Sequence, residues 1–288
     1  MLAPARRNQF LTVGCLAGLL AAAAPAMAFT SFDVDFDSSI AGTSTESTGV
    51  KGKMTFSFTK NTGNEYTLDL GIANTTRVPG DPSGTLVGFA FNVPGTNNTP
   101  SDIKLLTYNP LDSNFGDVFG ATANGSEATV NNNTVLTIAT NPQPAPFSPY
   151  GSFTFCARDS GNNCVGGQAR GLADGQSTRV RFTLASNVAS IDTAEEVTQS
   201  FFNLFNSWNP ATNPNAPQVA LRFQNVTTSS GVSGQSEKVG GIPKKPPQAP
   251  GDAVPGPLPV LGAATAFAFS RKLRRRITSA NFQAQPSA

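Results

Sequence analysis

Asp33, Asp35 and Asp37 alternate with Phe32, Val34 and Phe36 near the start of the chain. A period of two sets the carboxylates on one face of a strand and the apolar side chains on the other. Such a row invites an oxygen-only calcium site, yet the spacing has neither the glycine nor the distal glutamate of a calcium loop. The expectation is solvated edge charges with no cofactor, and these three residues are kept only as a weak calcium candidate. Histidine is absent from all 288 residues, which excludes Ser-His-Asp and Cys-His mechanisms and removes the commonest general base near neutral pH. A pair of carboxylates remains able to hydrolyse a glycosidic bond, so a carboxylate-dependent glycoside hydrolase is a third reading. No catalytic residue is assigned, and the expected class is not an enzyme.

Cys156 and Cys164 bound a hairpin-like segment, Cys156-Ala157-Arg158-Asp159-Ser160-Gly161-Asn162-Asn163-Cys164. In an exported chain this spacing reads as a disulfide, which would stabilise the fold by roughly 2.5 kcal/mol on the chain-entropy model. Sugar-binding surfaces usually present exposed aromatic rings. The pattern turns Tyr66 and Trp208 inward, which leaves Tyr108 and Tyr150 as platforms for a second reading, a carbohydrate-binding module.

These groups need elements to position them, and the two ends of the chain are not among those elements. Residues 1–28 form a signal peptide: Arg6 and Arg7, an apolar run from Phe10 to Ala24, then Ala26-Met27-Ala28 with cleavage expected before Phe29 by signal peptidase. All 18 acids lie between residues 29 and 253, against 13 of the 20 bases. The exported part is therefore acidic and disfavours nucleic acid.

Within it, period-two runs dominate: Met54-Phe56-Phe58, Tyr66-Leu68-Leu70-Ile72, Val87-Phe89-Phe91-Val93, Val180-Phe182-Leu184 and Val219-Leu221-Phe223, with Arg179, Arg181 and Arg222 facing water. Shorter strands are expected at 32–36, 103–108, 135–138 and 153–155. Some eight strands with one apolar face each predict an all-β, jelly-roll-like sandwich of two antiparallel sheets over residues 29–230, a closed barrel being the alternative. One amphipathic helix interrupts it: Thr193 and Glu196 make a capping box before the stripe Val197, Phe201, Leu204, Phe205, Trp208. The prolines between Asn141 and Pro149 predict an extended connector, and residues 231–253 a Pro/Gly-rich linker that leaves the fold ending near Val226.

The tail then runs in three parts: Val254-Pro255-Gly256-Pro257, the apolar Val260 to Phe269, and the basic cluster Arg271, Lys272, Arg274, Arg275, Arg276, with residues 277–288 trailing as a cytoplasmic tail. As a helix, Leu258 to Phe269 would rise only ~18 Å against a hydrocarbon core of ~30 Å. Residues 254–276 resemble the PEP-CTERM sorting signal of bacteria, in a cyanobacterial-type variant. Gly256 stands where the family has Glu, and the twelve trailing residues exceed its usual ending. The resemblance implies a membrane-embedded exosortase as partner, processing near the Pro-x-Pro motif, membrane contact through the C-terminal segment and association with extracellular polysaccharide. Leu68 to Asn74, Gly88-Phe89-Ala90-Phe91-Asn92, Gly175-Gln176-Ser177 and Leu221-Arg222-Phe223-Gln224 resemble the cistern-family ectodomain, which implies a β-rich fold. The leading expectation is an exported envelope or matrix protein of structural or adhesive type.

Overall fold

Alternating apolar and polar residues make strands wherever one face meets a core and the other meets water, and the long runs behave this way. The computed structural model describes residues 29–76, 82–95, 102–111, 119–123, 126–128, 136–138, 145–159, 171–189, 191–228 and 230–245. Their strands are β1 (Ser31–Asp37), β2 (Lys51–Lys60), β3 (Glu65–Asn74), β4 (Ser83–Phe91), β5 (Ile103–Pro110), β6 (Phe119–Ala123), β7 (Ser126–Ala128), β8 (Leu136–Thr137), β9 (Ala145–Pro146), β10 (Ser152–Phe153), β11 (Phe155–Asp159), β12 (Ser177–Ser186), β13 (Val219–Thr227), β14 (Gln235–Gly240) and β15 (Ile242–Pro243). One helix, α1 (Ala194–Asn206), lies between β12 and β13.

All the pairings are antiparallel. One sheet runs β15-β1-β2-β3-β12-β5-β8, the other β14-β13-β4-β11-β6-β7, and β9 and β10 form a separate hairpin. The sheets meet through aromatic rings. Phe56 of β2 lies 5.9 Å from Phe91 of β4, Phe91 lies 5.4 Å from Phe182 of β12, and Phe182 lies 4.8 Å from Phe155 of β11, each near 90°. Edge-to-face rings at such distances add to the burial that drives the two faces together. The mostly-β sandwich with one helix is thus as expected.

The helix begins at the capping box: Glu196 N–H donates to Thr193 Oγ1 at 3.2 Å, and the Glu196 carboxylate accepts from the Thr193 amide at 2.9 Å. Val197, Phe201 and Phe205 are fully buried, with Phe201 5.0 Å from Phe58 and Phe205 5.1 Å from Phe56. Leu204 is half-buried and Trp208 buried beyond the helix end. Phe29, the first residue after the expected cleavage position, packs edge-on against Phe202 at 5.7 Å.

Four expectations need correction. Residues 231–245 are not linker: β14 pairs with β13, β15 pairs with β1 (Val34↔Pro243), and Glu237 and Val239 are wholly buried. A strand with Val239 as its only large apolar residue gives little sequence signal. The connector at 141–149 is not simply extended where it is described, because Ala145 and Pro146 pair with Phe153 and Ser152, and Phe147 is buried.

β4 and β13 are not half-buried but covered on both faces. On their outer side Cys156, Ala90, Ala220 and Gly240 stand in one register row. Phe147, Tyr150 and Phe153 pack over the first three, and Trp208 over the fourth, where any Cβ would strike its ring. Small residues in the sheet make room for large ones above it. Lastly, Arg222 does not face water; it is 7% exposed.

Candidate functional site

Next to that small-residue row, on the same outer face, Arg222 of β13 sits directly opposite Lys238 of β14. Beyond Lys238 the sheet is extended by residues 43–45, which leave β1 and run along the free edge of β14. Ser44 bridges Val239, the Thr45 amide donates to the Lys238 carbonyl at 3.1 Å, and the Lys238 amide returns a bond to Thr45 Oγ1 at 3.1 Å. Tyr150 holds this seam from above. Its hydroxyl lies 2.8 Å from the carbonyls of both Thr43 and Lys238 and shares its single proton between them. Burial, reinforced by the Glu237 carboxylate, pushes the phenol far above its usual range.

Glu237 points to the other side of β14 and fixes the same loop. Its Oε1 accepts from the amides of Glu46 and Ser47 at 3.0 and 2.9 Å, and its Oε2 accepts from the amide of Thr48 at 2.9 Å and from the Thr48 hydroxyl. Ser47 adopts a left-handed φ of 55°, which turns successive amides onto one carboxylate. A buried charge is tolerable when its lone pairs are filled in this way.

The result is a concavity of about 510 Å³ whose lining includes Glu46, Ser148, Tyr150, Asn215, Ser236 and Lys238. Lys238 is half-buried. Burial and then the Arg222 guanidinium lower its pKa, against a smaller opposing effect of Glu46. Asp33, Asp35, Asp37, Asp69 and Asp192 pair with other bases, and no ion pair among the described residues involves Lys238. The cleft offers an ammonium, hydroxyls and an amide, and it carries no histidine or cysteine.

The sequence-derived candidates fall differently. Asp33, Asp35 and Asp37 do share the solvent face of β1, but each meets a lysine: Asp33 pairs with Lys53 at 2.7 Å, Asp37 with Lys51 at 3.1 Å, and Asp35 with Lys244. Burial works against ionisation of Asp33 and Asp37. Lys53 and Thr55 on one, and Ser39 and Lys51 on the other, outweigh it and hold both carboxyls below the usual range. Among the described residues no group of three or more potential ligands is placed to hold a metal ion.

Tyr108 and Tyr150 are not sugar platforms. Tyr108 is 0% exposed, between Phe155 and Phe182, and Tyr150 is 5% exposed. Tyr108 lies within β5 and faces the core between the sheets, whereas Tyr150 packs on the outer side of β4 and β13. Cys156 is buried on β11, whereas Cys164 lies outside the described residues, as do the cleavage residues Ala26 and Ala28, the motif Val254 to Pro257 and the basic cluster Arg271 to Arg276. Among the described residues no helix is long and apolar enough to cross a membrane.

Sequence reasoning missed Lys238, Glu237 and the loop at 43–48. Ser236-Glu237-Lys238-Val239 holds a single apolar residue, so no periodicity in the sequence marks it as a strand.

No family model, no curated protein and no solved structure matches this chain.

Proposed function

We propose that the chain is an exported cell-envelope or extracellular-matrix protein of structural or adhesive type, sorted and processed through its C-terminal tail by an exosortase-like enzyme and associated with extracellular polysaccharide. The observation that carries this reading is the order of the sequence. A leader with a small-x-small cleavage box precedes a segment of two packed sheets, and Val254-Pro255-Gly256-Pro257, an apolar stretch and five bases follow it. Phe29 supports it as well, since the residue that cleavage would expose is packed against Phe202. The role is non-catalytic. A jelly-roll-like connectivity belongs to the same reading, supported by the passage of the chain from one sheet to the other at β3–β4, β4–β5 and β12–β13. So does a disulfide between Cys156 and Cys164.

Intact mass of the protein recovered from fractionated cells tests all of this. The expected species begins at Phe29, lacks the residues beyond the Pro-x-Pro motif, is two hydrogens lighter than its reduced form, and sits in the envelope or medium. A full-length product that stays soluble in the cytoplasm overturns the proposal.

A further inference from the structure

The concavity beside β14 holds a charge with no local use. Lys238 makes no ion pair among the described residues, its ammonium is half-buried, and Arg222 stands next to it across the strand pair. Two like charges side by side on a sheet are unfavourable, and partial burial adds to the cost of the ammonium. Glu237, the nearby buried acid, faces the other side and spends both oxygens on the loop at 46–48. Glu46 lines the same cleft but is exposed and makes no ion pair with Lys238 among the described residues. An anion seated against Lys238 would offset the partial burial of its ammonium, and a charge-assisted bond is about twice as strong as a neutral one.

The rest of the lining selects the kind of anion. Ser148, Ser236 and Asn215 supply neutral donors and acceptors, Pro149 and Pro214 supply flat apolar edges, and the space of about 510 Å³ suits a ligand rather than a single ion. We propose that this cleft binds a uronate unit of an acidic polysaccharide, with the sugar carboxylate on the Lys238 ammonium and the ring hydroxyls on Ser148, Asn215 and Ser236. The site is preorganised: Tyr150 and the Glu237-bound loop fix its two walls before any ligand arrives. The ligand class rests on the polysaccharide association proposed above, whereas the site rests on the residues alone.

Titration calorimetry of the full chain with trigalacturonate, and with cellotriose as the neutral probe, tests it. The expected result is saturable binding of trigalacturonate only, competed by free galacturonate. Lys238→Met should weaken it about tenfold or more, and Glu46→Gln, which takes a carboxylate out of the lining, should not weaken it. Ser236→Trp, at an exposed position that fills the cleft without touching the core, should abolish it and guards against a Lys238 variant that misfolds. Absence of trigalacturonate binding, equal affinity for cellotriose, failure of galacturonate to compete, or Lys238→Met and Ser236→Trp proteins that bind like the parent would each overturn it. None of these outcomes bears on where the tail is cut, so this inference and the sorting proposal fail separately.

Discussion

Removing the Glu237 carboxylate should cost far more than a typical surface change. In Glu237→Ala the amides of Glu46, Ser47 and Thr48, which now donate at 2.9 to 3.0 Å, lose their acceptor, and the Thr48 hydroxyl loses its own. A hydrogen bond to a charged group contributes about 1.5–3 kcal/mol, but the loop can recover some solvation by opening to water, so we expect a net loss of about 3–5 kcal/mol. For a domain of this size that lowers Tm by on the order of 10 °C. Glu237→Gln is the sharper probe. Its Oε1 can keep the Glu46 and Ser47 amides, but its NH2 group confronts the Thr48 amide, donor against donor, so it should fall roughly midway at about 2 kcal/mol. Thermal unfolding followed by circular dichroism measures both, and hydrogen exchange at residues 46–48 should rise in the same order. A Glu237→Ala protein melting within about 2 °C of the parent would refute the claim that this carboxylate organises the loop.

Thr193→Ala removes the hydroxyl that accepts from the Glu196 amide and should destabilise the protein by about 1 kcal/mol in denaturant unfolding; the loss should shrink when Glu196 is already Gln. Asp33 and Asp37 have folded pKa values below those of the unfolded chain. Their contribution is therefore complete above about pH 4 and disappears as the pH falls through the folded values. Melting temperature should drop over that acidic window, and Asp33→Asn should flatten part of the drop without changing the slope near neutrality.

The legible strands were those with one wet face. In β2, β3 and β12 threonine, serine, lysine, aspartate and arginine mark the solvent side of each apolar residue, and the capping box announced α1 from two residues. β4 and β13 deceived the same rule, because Ala90 and Ala220 look like weak outward positions until Phe147, Tyr150 and Phe153 are known to lie on them. That cover comes from a hairpin far along the chain, and no local pattern reports it. The two tyrosines failed for a related reason: an aromatic residue in or beside a strand is platform or core according to what faces it, and here Phe155 and Phe182 enclose Tyr108. β14 was invisible because the burial of Glu237 depends on amides some 190 residues earlier. The cleft at Lys238 inherits that opacity, since its walls come from four separated segments.

The two-residue strand β15 decides how the fold meets a pull. Tension applied to the chain beyond β15 acts on the pairs Val34↔Pro243 and Asp35↔Ile242, the bond from the Lys244 amide to the Asp33 carbonyl, and the Lys244–Asp35 ion pair. These few links can peel one at a time, and behind them stands β14 with its longer ladder to β13 and the Glu237 anchor. A tether at this end would thus have a short fuse ahead of the sandwich, yielding under drag and re-forming when the strain passes while the two sheets stay closed.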